Sequence, residues 1–206
     1  VENTRKTLPE ISRIFYNFPD KKLDITGITG TNGKTTVAYL IHSILQAAQR
    51  KAGLITTVES YNGSQWVMAE RTTPESLDLH RMFYNMVRND CDSAVMEVSS
   101  HALSLHRVEG IRFGSVVFTN LGRDHLDFHE TQQDYFLAKR KLFEKLESGQ
   151  KVFLNEDDPY SYKIKEITGG QVFTFSMKRP AATVYCKNHE IVQGRTRITL
   201  RTPLGE

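Results

Sequence analysis

Cysteine is scarce in this chain. Cys91 and Cys186 stand far apart with no C-x-x-C pair, which argues against a disulfide framework or a zinc ribbon and suits a reducing compartment. No apolar run approaches the ~18 residues of a membrane span, and no leader-like stretch is visible, so a cytoplasmic protein without a membrane partner is expected. Excess charge is also missing: 27 Lys and Arg against 24 Asp and Glu leave a net charge of +3. The basic residues are scattered and do not alternate with aromatics, so a nucleic-acid partner is not expected. There is no internal repeat and no low-complexity linker. What remains, 39% apolar and 25% charged residues in 206, can bury one good core, or one core with a small appendage.

The most informative segment is Thr29-Gly30-Thr31-Asn32-Gly33-Lys34-Thr35-Thr36. It follows the strand-like Leu23–Ile28 and opens an amphipathic helical pattern. Glycines let the backbone curl so that its N–H groups face phosphate oxygens, and the helix N-terminus adds the positive end of its dipole. Lys34 is placed to reach β- and γ-phosphates, and Thr35 to offer a hydroxyl to Mg²⁺. A strict G-x-x-x-x-G-K-[ST] would need glycine at Ile28, where Gly27 comes one residue early.

Strand and helix patterns then alternate, which predicts an α/β fold with a mainly parallel sheet flanked by helices. Val37, Leu40, Ile41, Ile44, Leu45 and Ala48 recur at helical spacing and predict one apolar face. Residues 53–57 read as a strand, and Asn62-Gly63 as a hairpin turn. Thr72 and Glu75 have the spacing of a capping box, ahead of a helix with Leu79, Met82, Phe83, Met86 and Val87 on its inner face. Residues 93–98, 115–120 and 151–155 read as further strands, and 132–145 as a helix. From Gln171 onward a β-hairpin-rich portion is expected. No helix follows it, and the chain reads as cut short.

In open α/β sheets ligands sit beyond the C-terminal strand ends. Glu97 is an acid on an otherwise apolar strand and needs a metal, a base or the cleft as partner. The segment Asn120–His129 packs two aspartates and two histidines between Asp124 and His129. It lacks cysteine and the spacing of a zinc site, so a second Mg²⁺ or a phosphate is the more natural occupant; alone, it equally fits a solvated polar loop. Asn155-Glu156-Asp157-Asp158 invites comparison with the guanine-reading Asn-Lys-x-Asp, but Glu156 stands where lysine belongs. The Asn155 amide can still hydrogen-bond adenine.

These motifs, in this order, resemble the central ATPase domain of the Mur ligases, in the MurE branch of UDP-N-acetylmuramoyl-tripeptide synthetases. The resemblance rests on Gly30–Thr36, Thr72-Thr73-Pro74, Met96–Leu103 with Arg107, Phe118–Asp127, Tyr135–Lys139 and Asn155–Asp158, and so covers nearly the whole chain. The phosphate loop alone would also suit folylpolyglutamate or cyanophycin synthetases. The resemblance implies ATP-dependent amide-bond formation in peptidoglycan synthesis: UDP-MurNAc-L-Ala-D-Glu is activated as an acyl phosphate, and a diamino acid displaces phosphate.

By the same resemblance, Gly30, Thr31, Asn32, Gly33, Lys34, Thr35, Thr36 and Asn155 would bind ATP. Thr35 and Glu97 would hold one Mg²⁺, and His125 would help hold a second. Lys139 would be a carbamylated lysine serving the metal site, although its neighbours Arg140 and Lys141 suggest an exposed helix face. Catalysis would fall to Lys34, Glu97, His125 and Lys139. Thr72, Thr73, Ser99 and Arg107 would contact the muramoyl-dipeptide; Leu105 stands where some relatives have glutamine. The implied organisation is a lead-in helix over 1–22 and the ATPase domain over 23–206, truncated at its end. A uridine-nucleotide domain before it and an amino-acid domain after it would be absent, so this piece, taken as a monomer, is not expected to turn over alone. A neighbouring ligase branch and a P-loop ATPase switch are the alternative readings.

Overall fold

The structure is a computed structural model and describes residues 3–124 and 128–206. The chain enters through α1 (Thr4–Phe15), capped by Asn3, whose side chain accepts from the amides of Arg5 and Lys6. A 3-10 turn at Pro19–Lys22 leads into β1 (Asp24–Thr29), followed by α2 (Lys34–Ala47), β2 (Ala52–Ile55), β3 (Glu59–Tyr61) and β4 (Trp66–Met68). The chain continues through α3 (Ser76–Arg88), β5 (Ser93–Glu97), the short α4 (Ser100–Ser104), β6 (Ser115–Phe118) and α5 (Gln132–Glu144). It closes with β7 (Lys151–Asn155), α6 (Tyr160–Lys165), β8 (Gln171–Ser176), β9 (Val184–Val192) and β10 (Arg195–Arg201).

These strands form one sheet in the order β10-β9-β8-β7-β6-β1-β5-β2-β3-β4. Pairing is parallel from β9 through β2, and antiparallel only in the outer pairs β2–β3, β3–β4 and β9–β10. The central strands β5 and β2 are buried at every residue, as expected of parallel strands covered on both faces. Leu79, Phe83 and Met86 of α3 join Phe136 and Phe143 of α5 over one face of the sheet; Ala38 of α2 packs with Ile28, Leu54, Val95 and Val117 on the other. Because β1, β5, β6 and β7 run in parallel, Thr29, Glu97, Phe118 and Asn155 come to the same edge, with Ile28 opposite Glu97 and Thr29 opposite Phe118. That edge is where the chemistry-bearing segments meet.

Two sequence expectations need correction. The inner face of α2 is formed by Ala38 and His42 with the partly buried Val37, Tyr39, Ile41 and Leu45, while Leu40 and Ile44 are 57% and 66% exposed. His42 fits inside because its ring bonds the Ala52 carbonyl at 3.0 Å. The Thr72–Glu75 capping box does not form: α3 begins at Ser76, and Glu75 makes no side-chain cap bond. From Gln171 onward the expected hairpin is present in β9 and β10. Ahead of it, β8 extends the parallel sheet beside β7.

Candidate active site

The loop between β1 and α2 has a backbone that only glycine permits at Gly30. Its φ is +146°, and a Cβ there would lie 1.9 Å from Thr119 Oγ1. Thr119 donates its hydroxyl to the Asn32 carbonyl at 2.7 Å, and Asn120 grips Asn32 through both ends of its amide at 3.0 and 3.1 Å. Thr31 is locked as well: its hydroxyl accepts from the Gly122 amide at 2.8 Å and lies 3.2 Å from Tyr135 Oη. The loop is thus buckled onto the end of β6. Gly33, with φ +84°, caps α2 without a side-chain bond, so the first amides of α2 open onto the loop. Asn32, Gly33 and Thr36 are exposed there.

Lys34 curls back and donates to the Gly30 and Thr31 carbonyls at 3.0 and 2.8 Å. Burial lowers its pKa, and the charges of Glu97 and Asp124 oppose that shift. Thr35 donates its hydroxyl to Glu97 Oε1 at 2.8 Å. Glu97 is 1% exposed and also accepts from the Thr57 amide at 2.9 Å and from the Thr57 hydroxyl at 3.2 Å. Among the described residues the hydrogen-bond donors to Glu97 are all neutral, so its charge is left for a cation. Hydroxyl and carboxylate oxygens together are the donor set Mg²⁺ prefers, and the pair therefore fits that ion.

Lys139 is the surprise of the site. It lies on α5, is 1% exposed, and donates to the Gly30 carbonyl at 2.9 Å with the Tyr135 ring 4.4 Å away. Burial, with the charge of Lys34 adding to it, pushes its pKa down to about 7. The exposed face suggested by Arg140 and Lys141 is therefore not where Lys139 points.

Behind Glu97 lies a second polar group. Thr73 donates to the Glu97 carbonyl at 2.9 Å and accepts from the Ser99 amide at 3.0 Å. Ser99 caps α4 by accepting from the Ala102 amide. Arg107 donates to the Thr73 carbonyl at 3.0 Å, and the Thr72 hydroxyl lies 3.1 Å from that of Thr57, whose own proton goes to Glu97. Asn155, one strand further out, donates to the Thr119 carbonyl at 2.8 Å and accepts from the Asp157 amide at 3.1 Å.

The fold therefore gathers Lys34, Thr35, Glu97 and Lys139 around the loop, and Thr72, Thr73, Ser99 and Arg107 beside Glu97. His125, expected at a second metal, lies outside the described residues. Among the described residues no three His, Cys, Asp or Glu side chains converge on a metal position. The sequence reading missed Thr57, Thr119 and Asn120 as site residues. Their signal was available, since Thr57 and Asn120 end predicted strands and Thr119 is next to last in one.

Residues 28–206 match the family of the Mur ligase middle domain. The chain is 40% identical over its whole length to the UDP-N-acetylmuramoyl-L-alanyl-D-glutamate–2,6-diaminopimelate ligase of Oceanobacillus iheyensis, covering 43% of that protein. It is 50% identical over 87% of its length to the ligase of the same name from Clostridium perfringens, covering 37% of it. The chain thus spans less than half the length of these relatives. A solved structure of a ligase of that name superposes with a TM-score of 0.85 at 23% identity, over 97% of this chain and 42% of that one. A Mycobacterium tuberculosis folylpolyglutamate synthase, complexed with ADP and AMPPCP, gives a TM-score of 0.72 at 14% identity over 95% of this chain and 51% of that one. These two likenesses show the shared fold. With the family match running over nearly all of its residues, this chain belongs to the Mur ligase middle-domain family.

Proposed function

We propose that this chain is the ATP-handling part of a ligase that joins 2,6-diaminopimelate to UDP-MurNAc-L-Ala-D-Glu. The names of its relatives support that substrate pair. The observation that carries the reading is the Thr35–Glu97 contact: a phosphate-loop hydroxyl resting on a buried strand-end carboxylate. In this reading residues 23–206 form the ATPase domain and α1 leads into it. The further length of the relatives is where the uridine nucleotide and incoming amino acid would be held. Among the described residues no helix is long and apolar enough to cross a membrane; a cytoplasmic monomer is the state proposed.

The loop amides with Lys34 would hold the triphosphate of ATP, from Gly30 through Thr36. Asn155 keeps one lone pair of its amide oxygen for the adenine amino group. Thr35 and Glu97 would hold Mg²⁺, which supplies the charge neutralisation that lets ATP and a carboxylate approach each other. A second Mg²⁺ would draw on His125 and Lys139. Thr72, Thr73, Ser99 and Arg107 would orient the acid substrate. Its carboxylate oxygen bonds to the γ-phosphorus as the bond to ADP breaks; the amine then attacks the acyl carbon, phosphate leaves, and the amine's proton is lost to solvent.

Lys139 would act as a carbamate. Addition of CO₂ requires the neutral amine, and a pKa near 7 supplies it at physiological pH. The product is an anion beside Lys34, which removes the repulsion between two buried cations.

The reading is tested by phosphate release from the full-length ligase with Mg-ATP, UDP-MurNAc-L-Ala-D-Glu and a panel of diamino acids. Release that requires both the nucleotide-dipeptide and diaminopimelate supports it. Release that needs neither favours an ATPase switch and overturns it.

A further inference from the structure

The turn between β2 and β3 carries Thr57, whose amide and hydroxyl both bond Glu97. Thr56, just before it, is fully buried and closes the turn on itself. Its hydroxyl donates to the Glu59 carbonyl at 2.7 Å and accepts from the Val58 and Glu59 amides at 3.2 Å, while its amide donates to the Glu59 carbonyl at 3.1 Å. Local bonds of this kind fix the shape of a turn but not its placement against other elements. Thr57 itself is exposed, so burial does not hold it on Glu97.

The placement comes from α2. Thr35 and Tyr39 lie one helical turn apart and project from one face of that helix. Thr35 bonds Glu97 at 2.8 Å, and Tyr39 donates its phenol to Glu59 Oε1 at 2.7 Å. Among the described residues Glu59 meets no cation, and Tyr39 is the one side chain its carboxylate engages. Glu59 thus closes the Thr56 turn through its backbone and reaches α2 through its side chain. The helix that offers the Thr35 hydroxyl is bolted to the turn that offers the Thr57 hydroxyl, and both hydroxyls go to the same carboxylate.

We propose that Tyr39 and Glu59 are positioning residues for the Mg²⁺ pocket, their hydrogen bond holding Thr57 on Glu97 and so keeping that carboxylate turned toward Thr35. The inference rests on the assignment of Thr35 and Glu97 to Mg²⁺ in the ligase reading above, and adds two residues that act through Thr57. Without the bond the turn keeps its shape but drifts from α2, Thr57 leaves Glu97, and the carboxylate is free to rotate. A site whose supporting contacts loosen binds more weakly although its own ligands are intact.

The test titrates Mg²⁺ into the full-length ligase with a fluorescent ATP analogue, and follows hydrogen exchange of amides 56–59 in the metal-free protein. If the wild type binds the analogue equally well with Mg²⁺ and in chelator, the metal assignment itself fails. If Mg²⁺ strengthens binding, Tyr39→Phe, which removes one hydroxyl and keeps the ring, is expected to raise the half-saturating Mg²⁺ concentration about fivefold, within the range of one hydrogen bond. Affinity in chelator is expected to stay within about twofold, and amides 56–59 to exchange faster than in the wild type. Glu59→Ala should match Tyr39→Phe in both readings, and the double variant should be no worse than either, because the two residues act as one unit. Glu59→Gln, which keeps an acceptor without the charge, should recover most of the loss. An unchanged Mg²⁺ midpoint in Tyr39→Phe, or unchanged exchange of the turn, overturns the inference while leaving the ligase reading intact. So does equal weakening in chelator, which marks a general loss of structure, or multiplying effects of the two substitutions. A Glu59→Gln variant as weak as Glu59→Ala overturns it too, by making the charge and not the bond the cause.

Discussion

Lys34 and Lys139 bring their ammonium groups to the same oxygen, the carbonyl of Gly30, at 3.0 and 2.9 Å. One comes from the phosphate loop and the other from a helix more than a hundred residues later. Lys34 is half-buried, also bonds the Thr31 carbonyl and feels the charges of Glu97 and Asp124, so it is the fully buried Lys139 that is pressed to yield its proton. Burial lowers the pKa of both lysines, and at Lys139 the charge of Lys34 adds to it and takes the value down to about 7.

Lys139→Met removes the buried amine at similar length. A lysine whose folded pKa is depressed costs stability as pH falls from its unfolded value of 10.5 toward about 7, because the unfolded chain takes up a proton that the folded one resists. Denaturant melts should show the variant more stable than the wild type by a few kcal/mol at pH 7, with the difference shrinking toward pH 10. In the full-length ligase the same change should abolish turnover and any response to added bicarbonate.

His80 lies wholly buried on α3, and neither ring nitrogen has a partner among the described residues. Burial drives its pKa down to about 4. It stays neutral in the fold while the unfolded chain protonates near 6.5, so stability is full above pH 6.5 and falls as pH drops toward 4. The expected loss is about 3 kcal/mol, and His80→Leu should flatten this part of a pH-dependent urea series.

Replacing Glu97 by Gln keeps an acceptor for Thr57 but removes the charge assigned to Mg²⁺. Titration with a fluorescent ATP analogue should show affinity in Mg²⁺ reduced by about tenfold or more, equivalent to at least ~1.4 kcal/mol. Affinity in chelator should change little. Equal loss in both conditions would remove Glu97 from the metal site.

Gly30→Ala adds a methyl that overlaps Thr119 Oγ1 on a backbone with φ of +146°. Nucleotide affinity should be lost, with destabilisation on the order of 3 kcal/mol. Adding Thr119→Gly should restore only part of the stability, since it relieves the overlap but not the backbone strain; calorimetric melting of the single and double variants reads out both components.

The loop from Gly30 to Thr36, the strand-end position of Glu97 and the inner face of α3 were all legible in the sequence, because each is written in local spacing. Lys139 was legible only through resemblance. Its neighbours Arg140 and Lys141 describe a solvated face, and what buries it is Gly30, far away in the chain. The segment from Thr72 to Glu75 misled for the same reason. Its residues have the composition of a helix cap, but Thr73 is drawn to Glu97 and Ser99, and Glu75 to two arginines. On α2, Leu40 and Ile44 read as core by periodicity, while His42 took the inner place through its bond to Ala52. Local propensity yields wherever a distant partner offers a stronger contact.

Among the described residues the sheet runs from β10 on one side to β4 on the other, and strand edges that stay unpaired invite other chains to add themselves. β4 answers by brevity, with three residues from Trp66 to Met68. β10 is longer, with seven residues, and carries Arg195, Arg197 and Arg201 along its length. Wherever the β10 edge lies bare, Arg195 and Arg201 on two copies meeting there would press like charges together, while Arg197 is already paired with Glu190 at 3.0 Å.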